Sequence, residues 1–461
     1  MNPNEVENGQ IDWTRREFLR GASFGTLMML MGGVPLEAQQ TNAPAGDAPT
    51  TYHTYGPPVS LGLVGCGAWG KEILQTLALL PNAPVVAICD TYPAALRKVK
   101  DAAPKAETFD DYKKLLASPK VEAVIVATPS HLHREVVEAA LAAGKHVYCE
   151  APLASTHEDA LAIARAAKAA VKLNFQSGLQ VRSDPQKHWL VKFIRGGAVG
   201  KTVMARSQWH KKTSWRRPAA NPEREAALNW RLNSKTSGGL LGEIGIHQLD
   251  LMRWYLNGRP TSVAGFGGIV NYADGRDVAD TLQTVLEFAN GVNLSFDCTL
   301  ASSFDSDYDM IYGTDSSVMM RGNKAWMFKE NDAPLVGWEV YARKDLFYNE
   351  TGIALVADAS KQKAMLNKAT AAEASFAESP LHYALVSFVK NSHLTATQVE
   401  DFMSSGGELA DLPTFLAKEA GSRGPAAGYQ EGFEATALAL KANEAVIKGQ
   451  KINLPKDLFQ I

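Results

Sequence analysis

Between Val59 and Gly178 short apolar runs alternate with stretches in which apolar residues recur every three or four positions. The runs Ser60 to Gly65, Val85 to Asp90, Val121 to Thr128, Lys145 to Glu150 and Val171 to Gly178 predict strands. Lys71 to Leu80, Pro93 to Asp101, His131 to Ala143 and His157 to Ala169 predict the helices between them. The segment 121–128 is apolar nearly throughout, as a strand covered on both faces must be, so the first half reads as a doubly wound parallel sheet. After about residue 180 the pattern changes. A helix from about Asp184 to Arg195 precedes longer alternating segments: Thr202 to Trp209, Thr261 to Val270, Thr281 to Phe288 and Gly291 to Leu300. Ala289-Asn290-Gly291 suits a hairpin, because Asn-Gly tolerates positive φ. The fold class is therefore α/β, with a second α+β domain built on a mainly antiparallel sheet. The late helical segment Phe433 to Lys448 packs back near that sheet or the domain junction.

A chain of 461 residues is too long for one ordinary core. Its net charge of −2, with 21% charged residues, leaves no electrostatic footprint for nucleic acid or an anionic membrane. The N-terminus departs from globular patterning. Thr14-Arg15-Arg16-Glu17-Phe18-Leu19-Arg20, followed by an apolar stretch from Gly21 to Val34, reads as a twin-arginine export signal rather than a surface helix. Cleavage is expected after Ala38 or after Ala45, and an uncleaved segment would be a membrane anchor. The expected organisation is a signal over 1–38, a linker or arm over 39–58 and a dinucleotide-binding domain over 59–178. A domain for substrate and oligomer contacts, over 179–461, completes it. The location that follows is periplasmic, with the export machinery as a partner. Cys66, Cys89 and Cys149 fall at ends of predicted strands in no zinc spacing, and they read as small buried apolar residues.

Gly65-Cys66-Gly67-Ala68-Trp69-Gly70 follows the first strand and opens a helix, which is the setting a G-x-G-x-x-G fingerprint requires. The glycines allow a tight turn and close approach of a pyrophosphate, while free helix N–H groups attract its charge. This is the signature of a Rossmann domain. Asp90 closes the next strand, where a carboxylate accepts from ribose hydroxyls and repels a 2′-phosphate, so NAD is favoured over NADP. Arg97 could soften that preference but reads as a solvated helix residue.

Ala127-Thr128-Pro129-Ser130-His131-Leu132-His133, Gly144 to Pro152, and Gly238-Gly239-Leu240-Leu241-Gly242-Glu243-Ile244-Gly245-Ile246-His247-Gln248-Leu249-Asp250 together resemble the glucose–fructose oxidoreductase / inositol dehydrogenase (Gfo/Idh/MocA) family. The resemblance runs from about Val59 to the C-terminus. It implies that Thr128, Pro129 and His133 line the cofactor trough, that Glu150 sits by the nicotinamide ribose, and that His247 is the catalytic histidine. Glu243 stands where the family usually has aspartate. Oxidation of a secondary alcohol needs a base for the hydroxyl proton, and a neutral imidazole suits that task near pH 7. Glu243, four residues before His247, could orient the ring; Asp250 is the alternative polar partner.

Glu150-Ala151-Pro152 departs from the family's Glu-Lys-Pro, so the catalytic lysine is missing. Three readings follow. His210, Lys211 or Lys212 supplies the charge in an oxidoreductase acting on a sugar or polyol. Alternatively, NAD is a recycled catalyst of glycoside cleavage through a keto-sugar, although the histidine motif of such enzymes is not matched here. In the third, the protein binds dinucleotide and sugar without catalysis. The stretch from Trp209 to Trp230, dense in Trp, Arg, Lys and His, reads as a carbohydrate rim with His210, Lys211 and Trp230 as substrate contacts; a surface loop or oligomer contact is the alternative. Asp277 and Asp280 read as turn and strand-start residues, and no histidine spacing suggests a metal. Because free NAD is scarce outside the cytoplasm, the cofactor is expected to be tightly held and loaded before export. A homo-oligomer is expected through the second sheet.

Overall fold

The computed structural model describes residues 56–219, 221–342, 344–347, 350–355 and 378–461. The twin-arginine segment and most of the linker lie outside the described residues.

Six strands form the first sheet: β1 (Leu61–Val64), β2 (Val85–Cys89), β3 (Glu107–Phe109), β4 (Ala123–Val126), β5 (His146–Cys149) and β6 (Phe175–Ser177). They run parallel in the order β3-β2-β1-β4-β5-β6. Helices α1 (Ala68–Leu77), α2 (Pro93–Val99), α3 (Tyr112–Leu116), α4 (His133–Ala142) and α5 (His157–Ala169) provide crossovers. Strand β3 was not legible as an apolar run, because its Glu107 and Thr108 are exposed at the sheet edge. One face of the sheet is covered from far away in the chain. Leu61, Leu63, Ile88, Ile125 and Tyr148 pack with α1 and with Leu381, Leu385 and Phe388 of a 25-residue helix, Pro380–Ser404. Residues assigned by position to the second domain thus complete the core of the first. Cys66, Cys89, Cys149 and Cys298 are all buried and free.

The second sheet has ten strands in the order β14-β15-β13-β12-β11-β7-β10-β9-β8-β16. In chain order they are β7 (Thr202–His210), β8 (Pro260–Gly268), β9 (Thr281–Phe288), β10 (Asn293–Thr299), β11 (Asp307–Gly313), β12 (Ser316–Arg321), β13 (Lys324–Lys329), β14 (Lys344–Phe347), β15 (Glu350–Leu355) and β16 (Ile452–Asn453). Among the described residues only the β7–β10 pair of this sheet is parallel. Strand β9 shows why one face is covered: Leu282, Thr284, Leu286 and Phe288 are buried while Gln283, Val285 and Glu287 face out. The covered face meets the helices Ile246–Tyr255 and Tyr429–Lys448. Met204, Val285 and Phe266 are exposed on the other. The expected hairpin is formed, with Gly291 at φ 83° and its N–H donating to Phe288 O at 2.9 Å.

Candidate active site

The glycine loop after β1 is shaped by steric necessity. Gly65 has φ +103°, and a Cβ there would lie 2.5 Å from Ala127 O; a Cβ on Gly70 would lie 2.0 Å from Gly65 O. Gly67 instead faces open space, leaving the backbone accessible from outside. Asp90 ties this loop to the next: its two oxygens accept from Cys66 N at 2.9 Å and Tyr92 N at 2.8 Å. A carboxylate offers about four acceptor directions, so two stay open for ribose hydroxyls.

Across the trough, Thr128 Oγ1 and Glu150 Oε1 are buried and have no hydrogen-bond partner among the described residues. Burial pushes the Glu150 carboxyl up to about 7, with Trp69, the Ala151 N–H and Tyr148 drawing it back. Native interiors seldom leave such atoms unmatched. Unpaired acceptors at the β4 and β5 edges and an open Gly67 backbone together fit a bound dinucleotide. His133, expected to line the trough, does not. Its ring is buried, with Nε2 at 2.8 Å from Thr128 O and Nδ1 at 3.0 Å from Pro152 O, so it holds the trough walls together.

The second domain reaches this edge at two points. A π turn, Leu241–Gly245, leads into the helix Ile246–Tyr255. Glu243, within the turn, accepts from Ser130 Oγ at 3.0 and 3.1 Å, just past β4. Asp250, seven positions on, takes a two-pronged bond from Arg182, at 2.7 and 2.8 Å, just past β6. In the sheet β5 lies between β4 and β6, and Glu150 directly follows it. Residues 243–250 are therefore pinned on both flanks of Glu150, with His247 between the pins. The His247 ring is half-buried and makes no hydrogen bond within the described residues; burial lowers its pKa, opposed by the Asp250 charge. At neutral pH it is an unprotonated, unpartnered imidazole at the trough edge.

Three expectations need correction. Glu243 does not orient His247: its carboxylate is taken up by Ser130, by Ser237 Oγ at 3.4 Å, by Gly238 N at 3.3 Å and by Arg231 at 3.6 Å. A carboxylate this buried requires donors, and these supply them. His210 does not join His247. Strand alternation turns Arg206, Gln208 and His210 away from the covered face that Ala205, Ser207 and Trp209 share, and His210 pairs with Asp297 at 2.6 Å. The Lys211 and Lys212 side chains are exposed. Trp230 does reach the cleft, its ring 6.1 Å from that of His131. His131 in turn bonds Thr236 O through Nδ1, at 3.1 Å.

Sequence reasoning passed over Ser130, Arg182, Arg231, Tyr92 and Arg224. Ser130 and Arg182 sit in the loops that follow the predicted strands ending at Thr128 and Gly178, and that position was the available signal. Arg231 stacks on Trp230 at 4.4 Å and lines a polar cavity of about 160 Å³ with residues 213–217 and Leu228. Asp277 and Asp280 brace this region: Asp277 accepts from Ser234, and buried Asp280 from the N–H groups of Val270, Asn271 and Tyr272. Among the described residues there is no cluster of metal-ligating side chains.

Residues 59–178 match an oxidoreductase family with an NAD-binding Rossmann fold, and residues 189–319 match the C-terminal domain of the same Gfo/Idh/MocA family. The chain belongs to the Gfo/Idh/MocA family. It is accordingly an NAD-dependent oxidoreductase. Its sequence is 27% identical over 292 residues to levoglucosan dehydrogenase of Pseudarthrobacter phenanthrenivorans, covering 57% of this chain and 73% of that one. It is 30% identical over 243 residues to inositol 2-dehydrogenase of Acidothermus cellulolyticus, covering 52% and 66%. The structure of a levoglucosan dehydrogenase in complex with NADH and L-sorbose shares the fold, with TM-score 0.63 and 20% identity over 87% of this chain and all of that one. Against the family's Glu-Lys-Pro, this Gfo/Idh/MocA member keeps Glu150 and Pro152 but carries Ala151.

Proposed function

We propose that this chain oxidises a secondary hydroxyl of a sugar, polyol or glycoside outside the cytoplasm. It carries NAD that was loaded before export and is held tightly. The observation that carries this reading is His247, an unpartnered neutral imidazole pinned between Ser130 and Arg182 over the end of β5. Dehydrogenases of levoglucosan and inositol among its relatives support a polyhydroxylated substrate. The twin-arginine sequence supports the location, and the exposed apolar residues of the second sheet support a homo-oligomer.

The roles follow from placement. Gly67, Asp90, Thr128 and Glu150 would hold the dinucleotide. Bound NAD supplies the hydride acceptor. His247 accepts the hydroxyl proton as the carbonyl forms, and Asp250 steadies the imidazolium that results. Arg231, rather than His210, Lys211 or Lys212, takes over the missing lysine's charge: it pairs with Glu243, which stands one helical turn before His247 in the chain. Trp230 offers an aromatic face to the sugar ring.

Ala151 favours a second reading, in which NAD is returned to its oxidised form within each turnover and a glycosidic substituent is released. Mass spectrometry of products from holo-protein, incubated with a panel of sugars and glycosides, separates the two. A product two mass units lighter with its substituent intact establishes net oxidation. Free substituent, with no net change in NAD, overturns it in favour of cleavage.

A further inference from the structure

The segment from Asn221 to Thr236 belongs to the second domain, yet it touches the first at two separated places. The helix Pro222–Leu228 carries Arg224, whose guanidinium carbon lies 3.8 Å from the centre of the Tyr92 ring. Asn221 fixes the start of this helix by accepting from Arg224 N at 2.8 Å. Eight residues after Asn221, Asn229 is tied to Arg217 N and O, at 2.7 and 3.0 Å. Trp230 and Thr236 then engage His131.

The two contact places have a fixed relation to the cofactor loop. Tyr92 follows β2 and His131 follows β4, and β1 lies between those strands in the sheet. The glycine loop emerges from β1. A segment anchored beyond β2 at one end and beyond β4 at the other therefore crosses the mouth of that loop. Tyr92 is also tied to Asp90 through its own N–H, which puts the Arg224 contact at the adenosine-ribose side of the trough. A further observation points to a ligand: Arg224 Nε is buried and has no acceptor among the described residues. A guanidinium N–H in that condition is costly unless something outside the chain accepts from it.

We propose that residues 221–236 form a strap that retains the dinucleotide, with Arg224 and Tyr92 as its clasp and the Arg224 Nε–H directed to an oxygen of the adenosine ribose or pyrophosphate. The proposal rests on the reading that the trough holds NAD, and it adds the part of the chain that keeps NAD from leaving. Release then requires the Arg224–Tyr92 stack to open. A polyol site bordered by the same segment, at Trp230 and Arg231, is completed only when the strap is down.

The test is the rate at which bound NAD leaves the full-length holo-protein, chased with excess etheno-NAD and followed by fluorescence. Arg224→Ala and Tyr92→Ala should each release NAD up to about fivefold faster, the scale of one solvent-exposed cation–π contact. Tyr92→Phe, which keeps the ring, should match the parent, and the double variant should be no faster than either single one. Trypsin cleavage after Arg224 gives a second readout in the unmodified protein, and bound NAD should slow it. Wild-type protein that binds no NAD overturns the trough reading itself. A loaded wild type whose release rate is unchanged by Arg224→Ala, or whose cleavage after Arg224 ignores NAD, overturns the strap alone. Unchanged NAD release with weakened NADP binding also overturns it, making Arg224 a reader of the 2′-phosphate.

Discussion

Replacing Glu243 with glutamine removes one charge from the junction between the two domains while keeping its shape. The parent carboxylate accepts from Ser130 across the cleft and from Ser237 and Gly238 locally, and it faces Arg231. Glutamine retains one acceptor oxygen, so the loss is the charge assistance of these bonds, about 1 kcal/mol. Glu243→Ala removes the acceptor altogether and strands the Ser130 hydroxyl and the Gly238 N–H, costing about 3 kcal/mol at roughly 1–3 kcal/mol for each unmatched buried donor. The Arg231 pair adds little to either figure, because its side chain is 42% exposed. Urea unfolding of the holo-protein measures both values. The decisive assay is the pH dependence of the reduction of the bound NAD, followed in single turnovers over a range of polyol concentrations, whose apparent second-order rate constant reports kcat/KM for this half-reaction. Because Glu243 makes no hydrogen bond to the imidazole among the described residues, Glu243→Gln should lower kcat/KM through misplacement of Arg231 and the cleft. The acid limb of the profile should stay where it is. An acid limb displaced by as much as one pH unit would refute this reasoning and restore Glu243 as the partner of His247.

Further outcomes follow from the same geometry. His247→Asn should reduce turnover by about 10²- to 10⁴-fold, the usual yield of a positioned base, while NAD binding measured by fluorescence stays within twofold. In the parent, the lowered pKa of His247 keeps the base unprotonated into mildly acidic solution, so kcat/KM should fall only below the ordinary histidine range, near 6.5. Arg231→Ala should cost about 100-fold in kcat/KM, with Arg231→Lys recovering part of it; equal activity of all three proteins would remove Arg231 from the reaction. Burial holds His146 at about 4, and its Nδ1 accepts from Asn174 N at 2.9 Å. The unfolded chain therefore binds a proton near 6.5 that the folded chain refuses until about 4, and about 3 kcal/mol of stability should disappear as pH falls through that window. His146→Leu should flatten the slope of unfolding free energy against pH there.

Local patterns specified the parts of this protein whose physics is local. The alternation of apolar runs with helical periods gave the parallel sheet, because a strand covered on both faces must be apolar throughout. The glycine spacing gave the loop, since the positive φ at Gly65 and the close approach at Gly70 exclude side chains wherever the rest of the chain goes. His247 could be selected by its chemistry and motif. What held it in place could not. Ser130 meets Glu243 across 113 positions and Arg182 meets Asp250 across 68, pairings that no spacing encodes because they exist only once distant segments of the chain fold together. The same separation hid the helix Pro380–Ser404 as cover for the first sheet, and Arg224 as neighbour of Tyr92. Glu243 shows the limit most directly: one helical turn from His247, it has its partners in Ser130, Ser237, Gly238 and Arg231 instead. A buried carboxylate goes where donors are, and only the tertiary structure decides where those are.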